Sequence, residues 1–235
     1  IAVLEQVLVT ARDAGALVLL DVKRGDIGST MAGYAAAYLS DGAPLAADAI
    51  TVSPYLGVGA LNPAFELAGR TRRGVFVLAL TSNPEGIDVQ AAITATGITV
   101  AQSVVDAVTA RNADRHPIGD FGVVVGATAP AGTLRLENLN GPILVPGIGA
   151  QGAALADLPQ RFGTAAGRVV AVVARDLLSH GPQPEALRHA ARRTADEAAI
   201  ALYPSSRQVG GGTPVSAPGP PEDTVAAQTR PSHKH

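Results

Sequence analysis

Between the apolar run Ala16 to Leu20 and a glycine-rich turn stands Asp21-Val22-Lys23-Arg24-Gly25-Asp26, a lysine set among aspartates. The chain has one other lysine, Lys234, while sixteen arginines carry the rest of its basic charge. A lysine kept at position 23 points to a task that a guanidinium cannot perform, which is giving up and taking back a proton. Alternate residues of a strand share a side, so Asp21 and Lys23 are expected to face one way and Asp26 to lie in the turn beyond. A lysine hydrogen-bonded to a carboxylate is held protonated and aimed, and can serve as a general acid toward a carbanion. A second carboxylate nearby would repel an anionic group on a substrate. The plainer alternative is a salt-bridged strand end, against which the scarcity of lysine weighs.

A second cluster suits an anion. In Pro146-Gly147-Ile148-Gly149-Ala150-Gln151-Gly152 the glycines let backbone amides approach closely, and a helix expected to start near Gly152 would aim its positive end there. Arg175, at the end of the following apolar run, could add charge-assisted bonds to the same oxygens. Such a loop alone is common; a loop and an arginine on successive strands favour phosphate. His116, His180 and His189 show no ligand spacing, and no metal is expected.

The elements that must position these residues follow one theme of short apolar run, turn and helical stretch. Strands are expected at Leu17 to Val22, Ala49 to Ser53, Val75 to Thr81, Gly122 to Gly126, Ile143 to Val145 and Val169 to Ala174. Their nearly continuous hydrophobicity suits strands buried on both faces of a parallel sheet. Helices are expected at residues 1 to 14, Thr30 to Leu39, Ala60 to Ala68, Val100 to Asn112, Ala153 to Phe162 and Pro184 to Leu202. The class is α/β. Chemical residue types gather at the strand carboxyl ends, where both barrels and open doubly wound sheets place ligands, so this pattern does not choose between the two.

Composition sets outer limits. With 235 residues, 47% hydrophobic, the chain can bury a sizeable core. A net charge of −2 and 3% aromatics make nucleic acid an unexpected partner. Without cysteine there is no disulfide, thiolate zinc site or cysteine nucleophile, which suits a reducing cytoplasm. No apolar run approaches the roughly 18 residues of a membrane span. From Pro204 the sequence turns rich in Gly, Pro, Ser and Thr, so residues 1–204 are expected to form the folded domain and 205–235 a disordered tail.

Four motifs in order carry a resemblance: residues 21–30 (DVKRGDIGST), 81–86 (TSNPEG), 123–128 (VVVGAT) and 145–152 (VPGIGAQG). Together they resemble orotidine 5′-phosphate decarboxylase of the high-GC actinobacterial branch, over residues 1 to about 203. The resemblance implies a TIM (β/α)8 barrel, a homodimer, a cytoplasmic location, no cofactor, and decarboxylation of orotidine monophosphate to uridine monophosphate in pyrimidine synthesis. By position, Lys23 would protonate C6 of the pyrimidine and Asp21 would hold Lys23 beside the leaving carboxylate. Asp26, with Ile27 and Thr30, would reach into the partner subunit's site. Ser82 would contact the base, Gln151 would bridge base and phosphate, and Arg175 with the Pro146, Gly147 and Gly149 loop would hold the phosphate.

The sequence also departs from the family. The helix at residues 1 to 14 resembles the one that follows the family's second strand, so two βα units, one ending in an aspartate and one in a lysine, are expected to be missing. Six strands would not close as eight do and would leave two apolar edges unpaired. The 235-residue chain alone is therefore expected to be nearly inactive and poorly soluble. Three alternatives stand beside this reading: a magnesium-dependent sugar-phosphate decarboxylase or synthase of the same superfamily, a non-catalytic phosphate-binding remnant, and a purely structural protein.

Overall fold

In the computed structural model the described residues are 1–149 and 151–203; Ala150 and residues 204–235, including the expected tail, lie outside them. Six parallel strands form one curled sheet in chain order: β1 (Leu19–Arg24), β2 (Ala49–Val52), β3 (Gly74–Leu80), β4 (Phe121–Val125), β5 (Ile143–Pro146) and β6 (Val169–Val172). The helices are α1 (Ala2–Asp13), α2 (Gly28–Leu39), α3 (Asn62–Thr71), α4 (Ile87–Gln90), α5 (Val100–Arg111), α6 (Leu158–Phe162), α7 (Arg175–Leu178) and α8 (Pro184–Leu202). This is the expected α/β arrangement of six units from an eight-unit barrel, and β1 and β6 do not pair with each other among the described residues.

Strand alternation divides the apolar residues between two clusters. One face of the sheet carries Phe76, Val124 and Leu144, with Leu19, Leu78 and Val172 packed against them. The other presents Val75, Val77, Val123, Ile143 and Val145 to the helices, where Met31, Leu39, Phe65 and Val105 complete a much larger core. Central β4 is buried at all five positions, as a strand covered on both faces must be. The outer strands are not: β1 is exposed at Asp21, Lys23 and Arg24, and Val170 of β6 is 43% exposed, because among the described residues each has a neighbour on one side only.

Several boundaries differ from expectation for identifiable reasons. The first strand begins at Leu19, not Leu17: the Val18 N–H donates to the Asp48 carboxylate at 2.7 Å, and Leu17 is 88% exposed. The helix expected over Ala153 to Phe162 shrinks to α6. Ala153 instead forms a parallel bridge with Ile148, a single 3-10 turn spans Leu155–Asp157, and Pro159, which lacks an N–H, suits the first turn of a helix beginning at Leu158. The short α7 went unpredicted because four residues leave no readable period.

Asn112 joins three of these elements. It is fully buried at the end of α5, donating to the carbonyls of Phe121 (2.7 Å) and Leu139 (3.1 Å) and accepting from the Phe121 N–H at 3.4 Å. The start of β4 and the approach to β5 thereby share one side-chain amide, which ties the amino ends of these strands together.

Candidate active site

All six strands run parallel, so their carboxyl ends lie on one rim of the sheet, and that rim carries Asp21 and Lys23 (β1), Ser82 (after β3), the 146–152 loop (after β5) and Arg175 (after β6). The sequence places these residues far apart; the topology gathers them.

The pairing of Asp21 with Lys23 occurs, but not through simple alternation. Leu20 lies opposite Ile50 and Arg24 opposite Val52, so four steps along β1 face two along β2. The two extra residues bulge the strand, and Lys23 takes a left-handed backbone with φ +45°. That conformation costs a residue with a Cβ roughly 1–2 kcal/mol. Lys23 Nζ donates to Asp21 Oδ2, with both side chains about half exposed. Behind them Thr51 of β2, 1% exposed, donates its hydroxyl to Asp21 Oδ1 at 2.7 Å and accepts the Lys23 N–H at 3.0 Å. The neighbouring Arg24 turns away, its Nε 3.4 Å from the Tyr38 hydroxyl and its guanidinium over the Tyr34 ring.

Burial pushes the Asp21 carboxyl up, yet hydrogen bonds from Lys23 and Thr51, with the lysine's charge, more than offset it and leave Asp21 below the ordinary carboxylate range. A lowered folded value stabilises the fold fully above the unfolded value of about 3.9 and loses that contribution as pH falls through the folded value. Denaturant midpoints measured from neutrality down into that range are therefore expected to fall less steeply for Asp21→Asn than for the wild type. The same acid slope in both would show that Asp21 carries no linkage.

Asp26 is not part of this pair. Its carboxylate accepts from the Ile27 N–H at 2.8 Å, and Ile27 and Thr30 stand exposed at the start of α2. No hydrogen bond or ion pair joins these three to Lys23 among the described residues.

Ser82 and Gln151, 69 positions apart, do meet: Ser82 Oγ lies 3.1 Å from Gln151 Oε1. Ser82 is presented by a loop locked from behind, where the Thr81 N–H and hydroxyl both bond the Gln90 side-chain amide, and the Thr81 hydroxyl also donates to Asn83. Gly147 has φ +106°, and a Cβ there would stand 2.6 Å from Gln151 Oε1; Gly149 has φ +73°, and its Cβ would reach 3.0 Å from Asp176 Oδ2. The positive φ favours glycine at both positions, and a Cβ would also push the side-chain ends of Gln151 and Asp176 aside.

The anion-binding expectation for this loop is corrected in one respect. No α-helix starts near Gly152 among the described residues, and the N–H groups of Gly149 and Gly152 are spent on the carbonyls of Ala153 and Gly149. The cationic partner remains: Arg175, the first residue of α7, is exposed, and its guanidinium makes no hydrogen bond or ion pair among the described residues. Sequence reading missed Thr51, whose β-branched side chain within an apolar strand signals packing and nothing more.

A model of the family described as orotidine 5′-phosphate decarboxylase / HUMPS matches residues 4–190. A curated orotidine 5′-phosphate decarboxylase of Salinispora tropica is 55% identical over 202 residues, covering 86% of this chain and 73% of that protein. Its counterpart in Streptomyces coelicolor is 53% identical over 205 residues, covering 87% and 74%. A crystal structure from Streptomyces avermitilis assigned to the same activity superposes with a TM-score of 0.83 at 55% identity, over 86% of this chain and 70% of that one.

Proposed function

We infer the reaction from one premise: this chain belongs to the orotidine 5′-phosphate decarboxylase / HUMPS family. It decarboxylates orotidine 5′-monophosphate to uridine 5′-monophosphate in pyrimidine biosynthesis. The observation that carries the assignment of roles is Lys23 bonded to Asp21 on the rim that also bears Ser82, Gln151 and Arg175.

In this reading the C6–carboxylate bond breaks heterolytically, carbon dioxide leaves, and the electron pair stays at C6. Lys23 delivers a proton from its ammonium group to that carbon and regains one from solvent after product release. Asp21 aims the ammonium and sets negative charge beside the departing carboxylate, which disfavours the bound ground state relative to the transition state. Ser82 and Gln151 orient the base. Arg175, beside the Pro146, Gly147 and Gly149 loop, holds the phosphate, so binding energy from a remote group offsets the repulsion at the reacting carbon. Asp26, Ile27 and Thr30 complete the partner subunit's site in a cytoplasmic homodimer; the exposure of Ile27 and Thr30 at the start of α2 supports an outward role.

The test is to incubate the chain with orotidine 5′-monophosphate and follow uridine 5′-monophosphate and carbon dioxide. Equal yields, unaffected by a chelator, are expected. Turnover is expected to be slower than that of the longer Streptomyces coelicolor relative, because β1 and β6, which carry Lys23 and precede Arg175, each have one unpaired edge among the described residues. Release of carbon dioxide from a sugar phosphate in place of the nucleotide, abolished by chelation, would overturn the assignment.

A further inference from the structure

We propose that Thr51 is a positioning residue that fixes Lys23 and Asp21 relative to each other, its hydroxyl acting as the missing rung of the β1–β2 ladder. The proposal rests on the reading of Lys23 as the proton donor, but its geometry stands independently.

A parallel ladder offers each inward N–H a carbonyl on the neighbouring strand. Between Leu20 and Arg24 that pattern fails, since Ile50 and Val52 already occupy the flanking rungs and two extra residues of β1 must fit between them. The Lys23 N–H, turned by its left-handed backbone, finds the Thr51 Oγ1 at 3.0 Å instead of a carbonyl. The same oxygen then has its own proton to give, and gives it to Asp21 Oδ1 at 2.7 Å. One buried hydroxyl therefore holds the backbone of the lysine and the side chain of the aspartate at once. The other Asp21 oxygen is thereby left to Lys23 Nζ.

The rest of the strand end is built around this contact. The Ser53 N–H donates to the Arg24 carbonyl at 2.8 Å, which closes the bulge beyond Thr51. Gly25 packs so tightly there that a Cβ would lie 2.3 Å from the Ser53 carbonyl oxygen. The hydroxyl is needed twice, as acceptor and as donor, which valine cannot supply and serine can. A left-handed lysine has no intrinsic reason to persist, so surrounding bonds must hold it, and Thr51 supplies the one made to its own N–H.

Three measurements test the proposal on the full chain. In the wild type, the Lys23 amide, which lacks a ladder carbonyl, is expected to be protected from hydrogen exchange, and the Asp21 carboxyl to titrate below the ordinary range by carbon-13 NMR. Thr51→Val is expected to remove the protection, move Asp21 upward, and lower kcat roughly 10- to 100-fold while KM shifts little, because a displaced proton donor slows chemistry more than binding. Thr51→Ser is expected to restore all three. A rapidly exchanging Lys23 amide in the wild type overturns the proposal without any variant. Equal losses in Thr51→Val and Thr51→Ser would assign Thr51 to packing alone and also overturn it, as would a moved Asp21 titration with unchanged kcat. Failure of the reading of Lys23 as proton donor shows separately, as full turnover in Lys23→Ala, while the exchange and titration results still decide the geometry.

Discussion

Lys23→Ala is expected to lower kcat for uridine 5′-monophosphate formation by roughly 10²–10⁴-fold, the range that a positioned general acid supplies, while binding of the product nucleotide changes little. The asymmetry follows from location. Lys23 is proposed to act at C6, and the groups assigned to the phosphate stand at the ends of other strands. Alanine is an apt replacement because it too carries a Cβ. The left-handed backbone at φ +45° therefore costs both residues about the same, and loss of activity reports the ammonium group rather than a relaxed turn. Lys23→Arg should fail almost as completely, since a guanidinium keeps the positive charge beside Asp21 but does not release a proton at neutral pH. Retention of wild-type kcat in either variant, measured beside unaltered nucleotide binding, would remove Lys23 from the chemistry.

Arg175→Ala is expected to act on the other half of the energy. A hydrogen bond to a charged group contributes about 1.5–3 kcal/mol, so its loss should lower kcat/KM by roughly 10- to 150-fold. The same substitution should leave the much slower reaction of the phosphate-free nucleoside unchanged, because there the arginine has nothing to hold. Arg175→Lys should recover only part of the loss, a point charge lacking the planar fork that matches phosphate oxygens. The exposure of Arg175, whose guanidinium has no partner among the described residues, makes this prediction separable from any effect on folding. An equal loss on nucleotide and nucleoside would assign the arginine to architecture instead.

Much of the candidate site was legible because it depends on residue type at chain positions that follow apolar runs. The rarity of lysine singled out position 23, and the glycines at 147 and 149 pointed to a turn of unusual backbone, which their positive φ values bear out. The helix supposed to begin near Gly152 was misread. Its composition suits a helix, but the bridge between Ile148 and Ala153 takes the chain elsewhere first. Local propensity was outcompeted there by a contact between residues on the two sides of a turn.

What the amino-acid order determined by itself was the α/β alternation, the strands that carry chemistry and the types of group at their ends, because period and composition are local properties. What only the tertiary structure decided was how those groups meet. Ser82 reaches Gln151 across 69 residues, and Asp21 meets Lys23 through a two-residue bulge pinned by a hydroxyl from the neighbouring strand. Register between strands is a non-local quantity, set by which carbonyls and side chains of one strand face the N–H groups of the next, and one strand's sequence cannot specify it.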